Sequence, residues 1–255
     1  MEHKKKIQHD AASEFLENFS TLTYKNNPWE VWKDFIVMSA CAISNAVDGS
    51  HFDKREEKYL NTIKKYNEKE QKLFPELFAC TVMAMEHNPE QDFLGWMYNT
   101  LKITDQGKRQ VFTPYDVCVA MARLMLNDVA CQVQKDGYIT LNDPCCGAGA
   151  TLIAGVHEVG KQLIKVGLNF QNHLLVTAQD IDLTVALMCY IQLSLLGVAA
   201  YIKVGDTIME PMASGDTMEN YWFTPMYFSS VWSMRRAFHR ADSIVRNIST
   251  KEEPK

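Results

Sequence analysis

Tyr138-Ile139-Thr140-Leu141-Asn142-Asp143-Pro144-Cys145-Cys146-Gly147-Ala148-Gly149 is the stretch that decides the fold. Its first four residues form a short apolar run that reads as a β-strand. Behind it, Ala150 to Ile164 carries Leu152, Ile153, Val156, Val159 and Leu163 at the spacing of a buried helix face. Strand, acidic turn with two glycines, then helix is a ligand-cradling order. Gly147 and Gly149 let the backbone come close to a ligand, and the helix N-terminus offers N–H groups without intrahelical partners.

A dinucleotide fits this cradle poorly. Its fingerprint needs a third glycine and an acidic residue about 20 positions on. Leu152 stands at the third glycine position, and the next acidic residue that ends a strand, Asp180, comes later. Asp143 would also repel a diphosphate. A carboxylate there suits a ligand with an ammonium or sulfonium group.

Strands and helices alternate outward from this point. The spacing predicts strands over His173–Ala178 and Ala199–Val204, with a helix over Leu183–Leu196 between them. Such alternation implies β-α-β crossovers and a parallel sheet covered on both faces. Ligands on such sheets bind beyond the carboxyl ends of the strands, and Asp143, Asp180 and Asp206 all fall there. The predicted fold class is therefore α/β.

Residues 1–105 read as an N-terminal helical domain and 106–255 as the ligand-binding domain. Asn27-Pro28-Trp29-Glu30 is a helix start, and Asp53 to Lys72 reads as one solvated Lys/Glu-rich helix. Phe74–Glu86 and Phe93–Leu101 are two more helices, broken at Asn88-Pro89. Thr113-Pro114-Tyr115-Asp116 is a second capping signature, followed by apolar residues at helical spacing.

Composition narrows the class. A formal net charge of −5 gives no global field for nucleic acid. Seven scattered cysteines without a Cys-x-x-Cys pair point to a reducing, cytoplasmic setting rather than a disulfide framework or zinc site. Gln192, Ser194 and Gly197 interrupt the apolar run Val185–Ile202, which argues against a membrane span.

A ligand with an amino-acid end, a ribose and an adenine satisfies the three carboxylates. Asp143 and the glycine loop face the charged end, Asp180 accepts from ribose hydroxyls, and Asp206 accepts from the adenine amine. Ile181 and Ile208 supply apolar contact with the base. S-adenosylmethionine is such a ligand.

In order along the chain, these segments resemble the adenine-N6 DNA methyltransferases, especially the type I restriction-modification methylase subunits of the N-6 DNA methylase group. Phe93 to Tyr98 is similar to that family's helical lead-in. Gly107 to Pro114 resembles its Gly-x-x-Phe-Thr-Pro segment, with a longer spacer before Phe112. Asp143 to Gly149 matches its cofactor loop, Gln179 to Asp182 its ribose turn and Gly205 to Thr207 its adenine turn. The resemblance implies a Rossmann-like S-adenosylmethionine-dependent methyltransferase fold, with a possibly truncated sheet, behind the N-terminal helical region. It implies that Phe112, Thr113, Pro114, Asp143, Pro144, Cys145, Gly147, Gly149, Asp180, Ile181, Asp206 and Thr207 hold S-adenosyl-L-methionine. No metal is implied.

The family's Asn/Asp/Ser-Pro-Pro-aromatic tetrapeptide accepts hydrogen bonds from the target amine and stacks on a flipped base. No Asn-Pro-Pro-Tyr occurs here. Thr224-Pro225-Met226-Tyr227 is the nearest counterpart, so Thr224, Pro225 and Tyr227 are the candidate catalytic residues. Ser229 to Ile248 reads as a helix bearing Arg235, Arg236, His239, Arg240 and Arg246. The expected function is an adenine-specific DNA methyltransferase in a restriction-modification context, with DNA and a specificity subunit as partners. The alternatives are a catalytically inactive, cofactor-binding partner and a methyltransferase on a non-DNA substrate. An incomplete sheet would expose an edge to a partner chain or to self-association.

Overall fold

The structure, a computed structural model, describes the backbone of residues 2–10 and all atoms of residues 11–103 and 112–238. Five helices come first: α1 (Glu2–Thr23), α2 (Pro28–Asn45), α3 (Phe52–Ile63), α4 (Glu68–His87) and α5 (Phe93–Thr100). Asn27 caps α2 as its sequence predicts, its side chain accepting from the N–H groups of Trp29 and Glu30. The single helix expected over Asp53–Lys72 is instead two. Asn67 and Glu70 form a reciprocal capping box that satisfies the first N–H groups of α4 and ends any continuity with α3. Phe15, Trp32, Phe35 and Phe93 meet edge to face at 5.5–6.2 Å and anchor the helical part.

Then come α6 (Tyr115–Met125), α7 (Val129–Asp136), β1 (Ile139–Asp143), α8 (Ala150–Ile164), α9 (Phe170–His173), β2 (Leu174–Asp180), α10 (Leu183–Leu195), β3 (Ala199–Val204) and β4 (Tyr221–Phe223). A 3₁₀ turn, Pro225–Phe228, and a helical segment over 230–238 follow. The strands lie in the order β1-β2-β3-β4. The first three are parallel, and β4 returns antiparallel beside β3 with Ile202 opposite Trp222.

Leu141, Val176, Ala178, Ile202 and Trp222 share one face of the sheet by register. Both α8 and α10 lie against it: Leu141 reaches Gly155 of α8, and the Trp222 ring is 5.5 Å from Tyr190 of α10. On the opposite face Thr140 and Asn142 are exposed, and Tyr201 and Phe223 are half-buried. The expected covering of both faces is thus corrected: both crossover helices share one face. β4 returns from β3 through a loop rather than a helix.

The helical part and the sheet share one core, with α10 packed on α2. The expected boundary at 105/106 lies outside the described residues. A buried arginine also joins the two parts. Arg55 of α3 donates to the Asp48 carboxylate at 2.9 Å and to the Tyr221 carbonyl of β4 at 2.6 Å, and lies 3.9 Å over the Trp222 ring. Among the described residues, no helix is long and apolar enough to cross a membrane.

Candidate functional site

The carboxyl ends of β1, β2 and β3 are stitched together by loop hydrogen bonds. After β1 the chain turns through Gly147 and Gly149, at φ +52° and +97°, into the N-terminus of α8. The Cys146 N–H donates to the Gln179 carbonyl at 3.0 Å, and the Gly147 N–H donates to Asp180 Oδ2 at 2.9 Å. The second Asp180 oxygen accepts from the Asp182 N–H at 2.9 Å. The Gly205 N–H returns to the Asp180 carbonyl, and the Thr207 hydroxyl donates to the Pro144 carbonyl. Asp206 turns its own loop, accepting through Oδ1 from the N–H groups of Ile208 and Met209.

Asp143, Asp180 and Asp206 therefore stand beyond three adjacent parallel strands, a row spanning roughly 10 Å at about 4.8 Å per strand. Burial pushes the Asp143 carboxyl up, and the Asp180 carboxylate beside it pushes the same way. The Cys145 N–H, 3.0 Å from Asp143 Oδ1, pulls it down. Two mutually repelling carboxylates side by side favour a cationic group between them. Ile181 and Ile208 are exposed beside the row, and Cys145 is exposed on the loop. The Phe112 ring lies 3.5 Å from the position a Cβ on Gly147 would take, and meets Tyr98 edge to face. Thr113 and Pro114 are exposed at the start of α6, and no side chain caps that helix, contrary to the expected capping signature. Residues 107–111 of the Gly-x-x-Phe-Thr-Pro segment lie outside the described residues.

A family model described as N-6 DNA Methylase matches residues 89–253. The chain belongs to the N-6 DNA methylase family. No curated protein sequence matches it. The match supports a DNA N6-methyltransferase-like function, and members of the family use S-adenosylmethionine.

In this N-6 DNA methylase chain, the three residues expected to hold the target base are not brought to the carboxylates. Because β4 runs antiparallel, it carries Thr224, Pro225 and Tyr227 toward the amino end of β3. The Thr224 N–H and hydroxyl bond to Ala200 and Val198, and the residue is fully buried. Its hydroxyl thus closes a strand end instead of facing a ligand. From Ala200 to Val204 is about 13 Å of strand, before the turn to Asp206. The Tyr227 and Phe223 rings lie tilted at 4.8 Å, and Tyr227 lines a cavity of about 350 Å³ with Tyr201, Tyr221 and Met218 on the face away from α8 and α10. None of the three carboxylates lines that cavity. Arg235 and Arg236 of the C-terminal helical segment bond to backbone carbonyls, Gly137 and Asn172 for the first and Tyr227 for the second. His239, Arg240 and Arg246 lie outside the described residues.

The residues that sequence reasoning missed lie behind the loop. Gln192, fully buried on α10, donates to the Ala148 carbonyl of the glycine loop at 2.9 Å and to Asp92 Oδ1 at 2.8 Å. It accepts from the Leu94 N–H at 3.1 Å. Asp92 in turn accepts from the Gly95 N–H, and burial pushes its carboxyl up. The available signal was a glutamine inside an otherwise apolar helix. Gln192→Leu strands three buried polar partners and should cost about 2–4 kcal/mol in urea unfolding. A loss under about 0.5 kcal/mol would refute this account of the linkage.

Proposed function

We infer that the chain binds S-adenosylmethionine at the carboxyl ends of β1, β2 and β3. The observation that carries this reading is the bond from Gly147 N–H to the Asp180 carboxylate, which ties the glycine loop after β1 to the acidic turn after β2. In this reading the methionine end lies against Asp143, the glycine loop and Phe112. The ribose lies at Asp180, whose oxygens keep lone pairs for its hydroxyls, and the adenine lies at Asp206 between Ile181 and Ile208. Pro144, Cys145, Gly149 and Thr207 shape the walls, and Thr113 and Pro114 the mouth. The accompanying fold reading is a Rossmann-like methyltransferase sheet, to which the described residues contribute three parallel strands and the antiparallel β4.

The geometry favours a cofactor-binding member of a DNA-modification system over a self-sufficient adenine methyltransferase. With methionine at β1 and adenine at β3, Thr224–Tyr227 lies past the adenine end, two strands from the reactive methyl. Transfer to adenine N6 would then need base-holding acceptors from outside this segment, as in a restriction-modification assembly with DNA and a specificity subunit. The seven free cysteines support a reducing cytoplasm.

Calorimetry with S-adenosylmethionine tests the binding. Asp143→Ala and Asp180→Ala should each weaken it at least about tenfold, and unchanged affinity in both would end the proposal. A labelled-methyl assay on adenine-containing DNA tests the division of labour: the chain alone should transfer nothing. Transfer that is lost in Tyr227→Ala would restore the tetrapeptide reading.

The Asp143 shift gives a pH dependence. A cationic ligand favours ionised Asp143, so binding releases a proton when the free carboxyl is protonated. Affinity should therefore fall as pH drops toward the raised pKa of Asp143, and Asp143→Asn should flatten that fall. An affinity that rises in acid would contradict it.

A further inference from the structure

The helix layer of this protein is one helix wider than its sheet. α10 packs under β3 and β2, α8 under β1 and β2, and α6 packs against α8 through Cys118 and Ala122 on Ala150 and Ala154. Among the described residues, β1 pairs only with β2, so its other edge carries no strand. That edge lies next to α6: the Leu141 and Leu126 side chains both reach the same point beside Gly155.

Two features of this margin are unusual for a surface left to water. α6 exposes Val117, Met121, Leu124 and Met125, which follow at i, i+4, i+7 and i+8 and so form one stripe. β1, Ile139-Thr140-Leu141-Asn142-Asp143, carries no lysine or proline, two devices that keep edge strands from pairing, and its one charge, Asp143, stands at the very end of the strand.

We propose that a second copy of this chain docks here, β1 against β1 antiparallel and α6 against α6, forming a two-fold dimer with one continuous eight-stranded sheet. A two-fold contact requires a patch that complements itself, and this one does. Centred on Leu141, the antiparallel register sets Leu141 opposite its mate on the helix-covered face and Thr140 opposite Asn142 on the other. Asp143 falls opposite Ile139, so the two acids stay apart. On α6 the charges sit at opposite ends, Asp116 in the first turn and Arg123 in the last. An antiparallel helix pair therefore brings Asp116 of one copy toward the Arg123 end of the other, with the apolar stripe between them.

Sedimentation velocity of the full chain over a wide concentration range tests this. The wild type should dimerise. Met121 is exposed and central to the stripe, so Met121→Glu and Met121→Lys should fold normally by circular dichroism. Each alone should weaken the dimer at least about tenfold through like-charge repulsion, and an equimolar mixture of the two should reassociate. Amide exchange at Thr140 to Asn142 should slow as the wild type dimerises. A wild type that stays monomeric overturns the proposal, whether residues 239–255 or a foreign chain covers the edge. Dimers unaffected by either charge, or a mixture that stays monomeric, overturn it as well.

Discussion

Gly149→Ala should unfold about 2–5 kcal/mol more easily than the parent and bind S-adenosylmethionine at least about a hundredfold more weakly, about 2.7 kcal/mol of affinity. Two terms add. At φ +97° an L-residue is strained by about 1–2 kcal/mol. A Cβ there would also meet Cys189 Sγ at 2.8 Å, its Cβ at 3.3 Å and its Cα at 3.4 Å. The last two contacts belong to the α10 backbone region and cannot swing aside, so overpacking adds about 1–3 kcal/mol. Gly147→Ala is the control. Its φ is +52°, inside the ordinary left-handed region, and its Cβ would sit in normal contact with Phe112 at 3.5 Å. It should cost only about 1 kcal/mol. Equal losses for the two variants in chemical denaturation would refute the close packing of the loop on α10.

Arg55→Ala should destabilise the chain by about 3–5 kcal/mol near neutral pH. The substitution leaves Asp48 almost fully buried without its guanidinium, uncovers the Tyr221 carbonyl and removes the stack on Trp222. The pH dependence separates the charge from the packing. Burial alone would raise the Asp48 carboxyl, but the hydrogen bonds of Ser50 and His51 and the charge of Arg55 hold it below the ordinary value. A depressed carboxylate stabilises the fold above its unfolded pKa of about 3.9, and that stability is lost as pH falls through the folded value. The gap between parent and variant should therefore narrow in acid below about pH 4. A gap constant from neutral pH into acid would assign the whole effect to packing.

The strands and helices around the glycine loop were legible because each is short, apolar and bounded by turn residues. The family was legible because its motifs keep their order. The strand direction of β4 was not. Tyr221-Trp222-Phe223 is only three residues long, and nothing local distinguishes a parallel from an antiparallel return. That one direction decides whether Thr224 and Tyr227 meet the carboxylates, and it sets them toward the amino end of β3. The break between α3 and α4 was hidden in a Lys/Glu-rich stretch, where Asn67 and Glu70 look like ordinary surface residues. Gln192 and Asp92 escaped for another reason. Their role depends on partners distant in the chain, and periodicity reports only neighbours.

That distance also bears on the order of assembly. The Gln192–Asp92 bond joins residues 100 apart, and Gln192 reaches Ala148 across 44. Contacts of such separation form only after the intervening chain has closed, which is slow relative to local helix formation. The glycine loop is therefore expected to mature late in refolding, after the helices on either side of it, and to gain ligand affinity and amide protection in the same slow phase.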